Sequence, residues 1–240
     1  MKLKQALAGI AALASLSAAH AQTANSFYVT TGWFHFAPQD SSDPLKLDSM
    51  GGTPIGMAIN NTGAGIGSSD TLGLSLGYFI TDSIAAEAEI GIPPKFDLSG
   101  EGQFKQFGKL GSARLWSPAL LLKYYFNKPD SKFRPYAGIG VTYAWFTSAH
   151  ITNTTFEQGV LGGPTSTSTD RSWAPVFNAG FNYNFTKHWF AGFSLSYIPI
   201  NVIATFDSAV PTQVGTLTRK SEAKIHLNPL VTYLKVGYVF

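Results

Sequence analysis

The sequence of 240 residues contains no cysteine and few charged residues. Without thiols, an exported form of the chain has neither disulfides nor thiolate metal sites, so it must obtain its stability in another way. Only 13% of the residues are charged, whereas about a quarter are charged in an ordinary soluble domain. The formal net charge is +3, to which Lys2 and Lys4 contribute, so charge does not indicate a nucleic-acid partner.

Long apolar runs are also missing, apart from one near the N-terminus. Lys2 and Lys4 precede an apolar stretch over residues 6–16, and the small residues Ala19 and Ala21 flank a cleavage point before Gln22. The stretch is well short of the roughly 20 residues that a transmembrane helix needs. The pattern predicts a cleaved signal peptide over residues 1–21 and a mature chain over residues 22–240.

The mature chain alternates in character with a period of two residues. Apolar or aromatic side chains occupy most even positions from Leu230 to Phe240. Leucines alternate with glycine and serine over residues 72–77, and aromatic residues alternate with asparagine over residues 181–185. Because successive side chains of a strand point to opposite faces, this alternation predicts strands with one lipid-facing side. A high aromatic content of 14% and a mean hydropathy of only +0.06 agree with such strands.

We count eight such strands, which predicts an all-β fold, an eight-stranded antiparallel transmembrane β-barrel of the outer-membrane type. Their approximate bounds are 26–37, 70–80, 83–95, 112–126, 133–148, 171–185, 188–205 and 224–240. Short turns alternate with four long loops, expected to be extracellular, at 38–69, 96–111, 149–170 and 206–223. Closure is expected because lipid offers no hydrogen-bond partner to an open sheet edge. The alternative, a soluble β-sandwich, is disfavoured by the signal peptide and the aromatic last residue.

Proline interrupts several of the predicted strands. Because proline has no N–H to donate to a ladder, we expect local breaks in the strands at Pro118, Pro135, Pro175, Pro199 and Pro229. A gap between strands would open the lumen sideways toward lipid.

The C-terminal strand and the signal peptide predict the location of the protein. The last three residues, Tyr-Val-Phe ending at Phe240, resemble the signal that the barrel-assembly machinery reads. We therefore expect a bacterial outer-membrane protein, surrounded by outer-membrane lipid and lipopolysaccharide. Trp116, Trp145, Trp173 and Trp189 are expected in the interfacial aromatic girdles.

Three stretches carry a resemblance to a known family. They are residues 117–138, which include Lys-Phe-Arg-Pro-Tyr at 132–136; residues 172–197; and residues 227–240. They resemble the OmpW family of outer-membrane barrels, which includes alkane-uptake relatives, and weaker similarity covers 25–32 and 72–87. The resemblance implies an eight-stranded barrel through which small, mainly hydrophobic molecules diffuse passively, with lateral release into lipid. It also implies that such solutes, or a detergent, occupy the lumen.

Strand parity places charged side chains inside the predicted barrel. Because an outward charge would face lipid at a cost of a few kcal/mol, the inward set includes two acids and three bases, namely Glu87, Glu89, Lys123, Arg134 and Lys235. They form either a salt-bridged plug or the lining of a solute path. The family resemblance implies a constriction of apolar side chains from the third and seventh strands, but the matching inward positions are Glu89 and Ser196. The constriction is then wider and wetter, or is formed by Phe146 or Tyr233.

The long loops contain apolar residues, and the sequence carries no catalytic motif. Met50, Ile55, Met57, Ile59, Phe156, Val160 and Leu161 either form an apolar vestibule or pack the loops against the barrel rim. The histidines are scattered without ligand spacing, so no metal, cofactor or enzymatic activity is expected. The favoured function is a diffusion channel; the alternative is a non-conducting structural, adhesive or receptor barrel that acts through its extracellular loops.

Overall fold

A computed structural model of the chain describes residues 22–39, 41–213 and 215–240. The predicted signal peptide, residues 1–21, lies outside the described residues. Within these described residues, seventeen strands follow one another, interrupted by a 3-10 helix (Gln103–Phe107) and a helical turn (Thr154–Phe156) that continues as a π-helix (Glu157–Leu161). The strands are β1 (Phe27–Ala37), β2 (Ser41–Ser42), β3 (Lys46–Met50), β4 (Thr53–Ala58), β5 (Thr62–Ile66), β6 (Ser69–Phe79), β7 (Ile84–Gly91), β8 (Lys95–Gly102), β9 (Lys109–Trp116), β10 (Ala119–Tyr125), β11 (Phe133–Ile151), β12 (Thr165–Thr169), β13 (Ser172–Asn184), β14 (Trp189–Tyr197), β15 (Asn201–Thr212), β16 (Gly215–His226) and β17 (Leu230–Val239).

Eight of these strands close into a barrel. The antiparallel order is β10-β7-β6-β1-β17-β14-β13-β11, and β11 pairs back to β10 from Ala119↔Thr142 to Tyr125↔Tyr136. Closure leaves no strand edge inside the hydrocarbon, where an unpaired backbone group costs several kcal/mol. The predicted fold class, an eight-stranded antiparallel barrel, is confirmed.

The alternation of the sequence becomes an alternation of faces. Along β6, Leu72, Leu74 and Leu76 are about half exposed on the outer surface, whereas Ser75 is buried inside. Gly77 also faces inward, and the ring of Tyr28 lies directly on its backbone. A Cβ at this position would be 2.0 Å from the ring, so a larger residue does not fit. The lipid-facing side therefore carries the apolar bulk, and small inward residues make room for large rings from neighbouring strands.

The wall continues beyond the membrane. A strand needs about 9–11 residues to cross the hydrocarbon, but β11 has 19. Above the barrel, β9, β8 and β5 extend one sheet, and β12-β15-β16-β3-β4 form a second. The segments expected to be long loops thus contain strands that form an extension of the barrel on the side of the long connections, which is extracellular in this class of barrel.

Prolines divide four of the eight predicted strands, those over 83–95, 112–126, 188–205 and 224–240. Breaks occur as expected at Pro118, Pro199 and Pro229, and one further break, at Pro93 and Pro94, was not predicted. The breaks expected at Pro135 and Pro175 are wrong, because both residues lie within continuous strands, β11 and β13. Each stands beyond the last paired residue of one neighbour, β10 or β14, where a missing donor interrupts no ladder.

Candidate functional site

The periplasmic half of the barrel interior is closed by an ion cluster. Lys123 Nζ lies 2.9 Å from one carboxylate oxygen of Glu87, and Lys235 Nζ lies 3.2 Å from the other. Lys123 also contacts Glu89 at 3.2 Å, and the Tyr28 hydroxyl donates a hydrogen bond to Glu87. Three strands, β7, β10 and β17, supply these charges because parity turns them away from lipid. Each charge has a partner of opposite sign, which the low dielectric of the interior requires.

Arg134 ties three periplasmic segments together below this cluster. Its Nη1 donates to the backbone carbonyl of Gln22 at 2.9 Å, and its Nη2 donates to that of Asp82 at 2.6 Å. Both Nε and Nη2 also reach the carbonyl of Asn127, at 3.4 and 3.3 Å. The guanidinium centre lies 4.7 Å from the centroid of the Tyr125 ring. The planar guanidinium of arginine presents several donors in a rigid arrangement. Here it anchors the segment at Gln22 and the two turns at Asp82 and Asn127 to the periplasmic end of the barrel.

A layer of neutral polar groups lies above the ion cluster. Thr30 Oγ1 is 3.0 Å from the Tyr233 hydroxyl, and Asn178 donates to Ser196 Oγ at 2.8 Å. The aromatic face of Tyr233 then stacks on Phe34, with centroids 3.9 Å apart. This ring pair separates the polar half of the interior from an apolar half.

The extracellular half of the interior is an apolar chamber, which we define by the buried side chains of Phe96, Leu121, Ala204, Phe206 and Ile225 and their neighbours. These residues belong to one continuous apolar cluster that includes Phe34 and Tyr233. A cavity of about 60 Å³ remains within it and is lined by Phe146 as well as Phe96, Ala204, Phe206 and Ile225. The chamber spans the barrel and the extension, because Leu121 belongs to β10 of the barrel and Phe96, Ala204, Phe206 and Ile225 belong to strands of the extension.

The structure places all eight residues of the predicted lumen set inside the wall, at different heights. Glu87, Glu89, Lys123 and Lys235 meet in the ion cluster, whereas Arg134 lies below them. Ser196 and Tyr233 lie in the polar layer, and Phe146 packs against the chamber.

Several interior residues were not singled out from the sequence. They are Tyr28, Phe34, Leu121 and Asn178. Each has the inward parity of its strand, and that signal was available in the sequence. Among the apolar loop residues, Ile59, Phe156, Val160 and Leu161 pack into the core of the extension, whereas Ile55 and Met57 are exposed.

The barrel wall has a gap in its hydrogen-bond ladder beside the chamber. The β7–β10 ladder ends at Glu89↔Ala119, and the β8–β9 ladder begins at Lys95↔Arg114. Between these two ladders, residues 90–93 are not paired with residues 116–118. We call this interruption the β7–β10 gap. In a regular strand Ile92 and Phe96 would share a face, but Ile92 faces outward and Phe96 faces inward. The two prolines between them therefore shift the side-chain alternation by one residue.

A comparable interruption, the β13–β14 gap, lies elsewhere in the wall. The ladder stops at Phe177↔Tyr197 and resumes between β12 and β15 at Thr169↔Ala204. Its inner side is filled by the buried side chains of Val176, Ile198 and Ile200. The β7–β10 gap has smaller side chains on its inner side, Gly91 and Ala119, and is therefore the less obstructed of the two.

Neither a metal cluster nor a long apolar helix occurs in the described part of the chain. Within residues 22–39, 41–213 and 215–240, histidine and acidic side chains do not gather in groups of three that would hold a metal ion. In the same residues, no helix has the length and apolar character needed to cross a membrane.

The closed barrel and its partitioned interior define a class of protein, the small outer-membrane β-barrels. The model of the OmpW family matches residues 23–240, and the chain belongs to this family. It is an outer-membrane protein of the Gram-negative type and not an enzyme, and its location is confirmed by its relatives.

Individual relatives cover most of the chain. Outer membrane protein W of Vibrio cholerae is 31% identical over 242 residues, covering 99% of this chain and all of the relative. Outer membrane protein AlkL of Ectopseudomonas oleovorans is 27% identical, covering 77% of this chain and 72% of its own length. The crystal structure of OprG from Pseudomonas aeruginosa matches with a TM-score of 0.79 and 27% identity, covering 92% of this chain and 98% of that one.

Proposed function

We propose that this protein is a channel for the passive diffusion of small, mainly hydrophobic molecules across the outer membrane, with lateral release into the bilayer. The observation that carries the proposal is the partition of the interior at Phe34 and Tyr233. The apolar chamber extends from this partition into the extracellular extension, and an ion cluster fills the periplasmic half. A hydrophobic solute in the chamber would have to displace paired, fully buried charges to continue straight downward, at a cost of several kcal/mol.

The β7–β10 gap offers such a solute a way out through the wall. It lies beside Leu121, which belongs to the apolar cluster, and its outer rim carries the lipid-facing Ile92 and Leu120. Prolines border it on both strands, so the missing donors leave the ladder incomplete there. The side chains of Leu121, Ile92 and Leu120 thus give this route apolar surface on its inner and outer sides.

Passage requires the chamber to open. Its cavity of about 60 Å³ is smaller than the roughly 150 Å³ that holds a benzene molecule in an engineered protein cavity. Rotation of rings such as Phe146 and Phe206, both of which line the cavity, would enlarge it. We expect the rate of passage to depend on these side chains.

Uptake by cells tests the proposal. Cells with the protein are compared with cells lacking it for uptake of a long-chain alkane and of a sugar of similar mass. The alkane should enter several-fold faster with the protein, and the sugar should show no difference. The variant Ala204→Phe should slow alkane uptake because it fills the chamber, whereas Ala58→Phe, on an exposed position of β4, should not. Equal alkane uptake with and without the protein would overturn the proposal.

One observation favours the alternative of a receptor or adhesive barrel. Every residue of β4 is exposed, including Ile55 and Met57, and the strand lies at the edge of the extracellular sheet. Deleting the β3–β4 hairpin should abolish adhesion or phage binding under this alternative while alkane uptake is unchanged. Unchanged adhesion after this deletion would remove it.

A further inference from the structure

Two cations stand directly opposite each other on the outer surface of the extension. Lys95 and Arg114 are partners in the first rung of the β8–β9 ladder, and both are exposed. The Cβ atoms of directly opposite residues are about 4.5–5.5 Å apart, and like charges in such a pair are destabilising. Arg114 donates one hydrogen bond, from Nη1 to the carbonyl of Pro93 at 3.2 Å. Most of its donors are thus left for another partner.

The other charged cross-strand pairs of the extension combine opposite signs. Asp207 faces Lys220, and Lys46 faces Glu222. The acid nearest in sequence to Lys95, Asp97, is already engaged by Lys109 at 2.7 Å. Among the ion pairs of the described residues, none involves Lys95 or Arg114. The Lys95–Arg114 pair therefore carries two positive charges, whereas the other two charged pairs each carry one positive and one negative charge.

The height of this rung relative to the membrane is given by aromatic side chains. Arg114 is two residues beyond Trp116 on the same face of β9, about 7 Å along the strand. Trp116 stacks on Trp145 with centroids 5.8 Å apart, and Tyr143 contacts Trp173 at 4.7 Å. Because such aromatic belts mark the membrane–water interface, the two cations lie at the level of the headgroups of the outer leaflet.

We propose that Lys95 and Arg114 bind a phosphate group of lipid A, the membrane anchor of lipopolysaccharide, above the β7–β10 gap. The guanidinium supplies a planar pair of donors and the ammonium a compact charge, a combination suited to a phosphate. A phosphate relieves the repulsion within the rung. Below it, the exposed side chains of Ile92 and Leu120 offer an apolar surface for the acyl chains of the same lipid, which is why a lipid is the occupant.

Lipid binding by the purified full chain tests this inference. The probes are lipid A with both phosphates, the same lipid with its phosphates removed, and inorganic phosphate, each titrated and measured by native mass spectrometry. The unaltered protein should prefer the phosphorylated lipid. The double variant K95Q/R114Q should bind it about tenfold less tightly or worse, the scale of one or two charge-assisted hydrogen bonds. The control K46Q/K220Q removes the same charge from the extension and should bind like the unaltered protein.

The variant Lys95→Glu separates lipid binding from a structural role. It creates an opposite-charge rung like Lys46↔Glu222, so in lipid-free detergent the barrel should unfold at the same or a higher temperature, while lipid A binding is lost. Three results would each overturn the inference: K95Q/R114Q binding lipid A as tightly as the unaltered protein, equal binding of the dephosphorylated lipid, or inorganic phosphate binding as tightly as lipid A.

Discussion

The ring of Phe34 stacks on the ring of Tyr233, with centroids 3.9 Å apart and planes 21° apart, at the level where the polar and apolar halves of the interior meet. The Tyr233 hydroxyl bonds to Thr30 on the polar side, and Phe34 belongs to the apolar cluster. The Phe34 ring also lies on Gly73, where a Cβ would be 2.0 Å from it. The neighbouring strands β1 and β17 thus each contribute one ring to the boundary between the polar and apolar halves of the lumen.

Replacing Phe34 by alanine should destabilise the barrel by about 3–5 kcal/mol, because the change leaves a cavity and removes the ring stack. Phe34→Leu keeps most of the apolar volume and should cost no more than about 1.5 kcal/mol. Urea unfolding in lipid vesicles, followed by tryptophan fluorescence, measures both. Similar losses for the two variants would contradict a role for the filled volume.

The variant Glu87→Gln should be more harmful than its small size change suggests. Lys235 would lose its carboxylate partner inside the barrel, and Lys123 would keep only Glu89. Leaving a buried charge unpaired costs about 3–5 kcal/mol. Glu222→Gln is the matched control because Glu222 is paired with Lys220 at the surface, at 3.4 Å, where such pairs contribute about 0–1 kcal/mol. The same unfolding assay should rank Glu87→Gln well below the control in stability; equal values would show that the cluster is solvated.

Arg134→Lys should loosen the periplasmic floor while keeping the charge. A lysine cannot reach the carbonyls of Gln22, Asp82 and Asn127 at once, so one or two hydrogen bonds are lost, about 1–3 kcal/mol. Hydrogen exchange should increase at the Asp82 and Asn127 turns. Arg171→Lys, at an exposed position, should change neither; unaltered exchange at the two turns in Arg134→Lys would refute the role assigned to the guanidinium.

Restoring donors at the β7–β10 gap should slow lateral release. Pro93→Val and Pro118→Val together provide two N–H groups with which the interrupted ladder can close. Alkane uptake should fall several-fold, whereas Pro175→Val with Pro199→Val, at the β13–β14 gap, should leave it unchanged. If both pairs of substitutions act equally, or if neither acts, release through the β7–β10 gap is wrong.

The barrel strands could be predicted from the sequence, but not all of their interruptions. The strand predicted over 133–148 is β11, Phe133–Ile151, and that over 171–185 is β13, Ser172–Asn184. The strand predicted over 83–95 is in fact two, separated at Pro93 and Pro94. All these prolines lack a donor, but the strands continue through Pro135 and Pro175, which stand beyond the last paired residue of one neighbouring strand. Neighbours are assigned by closure of the barrel and are not visible in a local pattern.

The sequence by itself determined which face each strand turns to lipid, because side-chain direction alternates with every residue and a lipid-facing charge is costly. It therefore placed Glu87, Lys123 and Lys235 inside. Only the tertiary structure decided that these three meet in one cluster, that Arg134 lies below them and that Phe34 covers Tyr233 above. Height along the barrel axis depends on the register between strands far apart in the chain, and that register is set when the barrel closes.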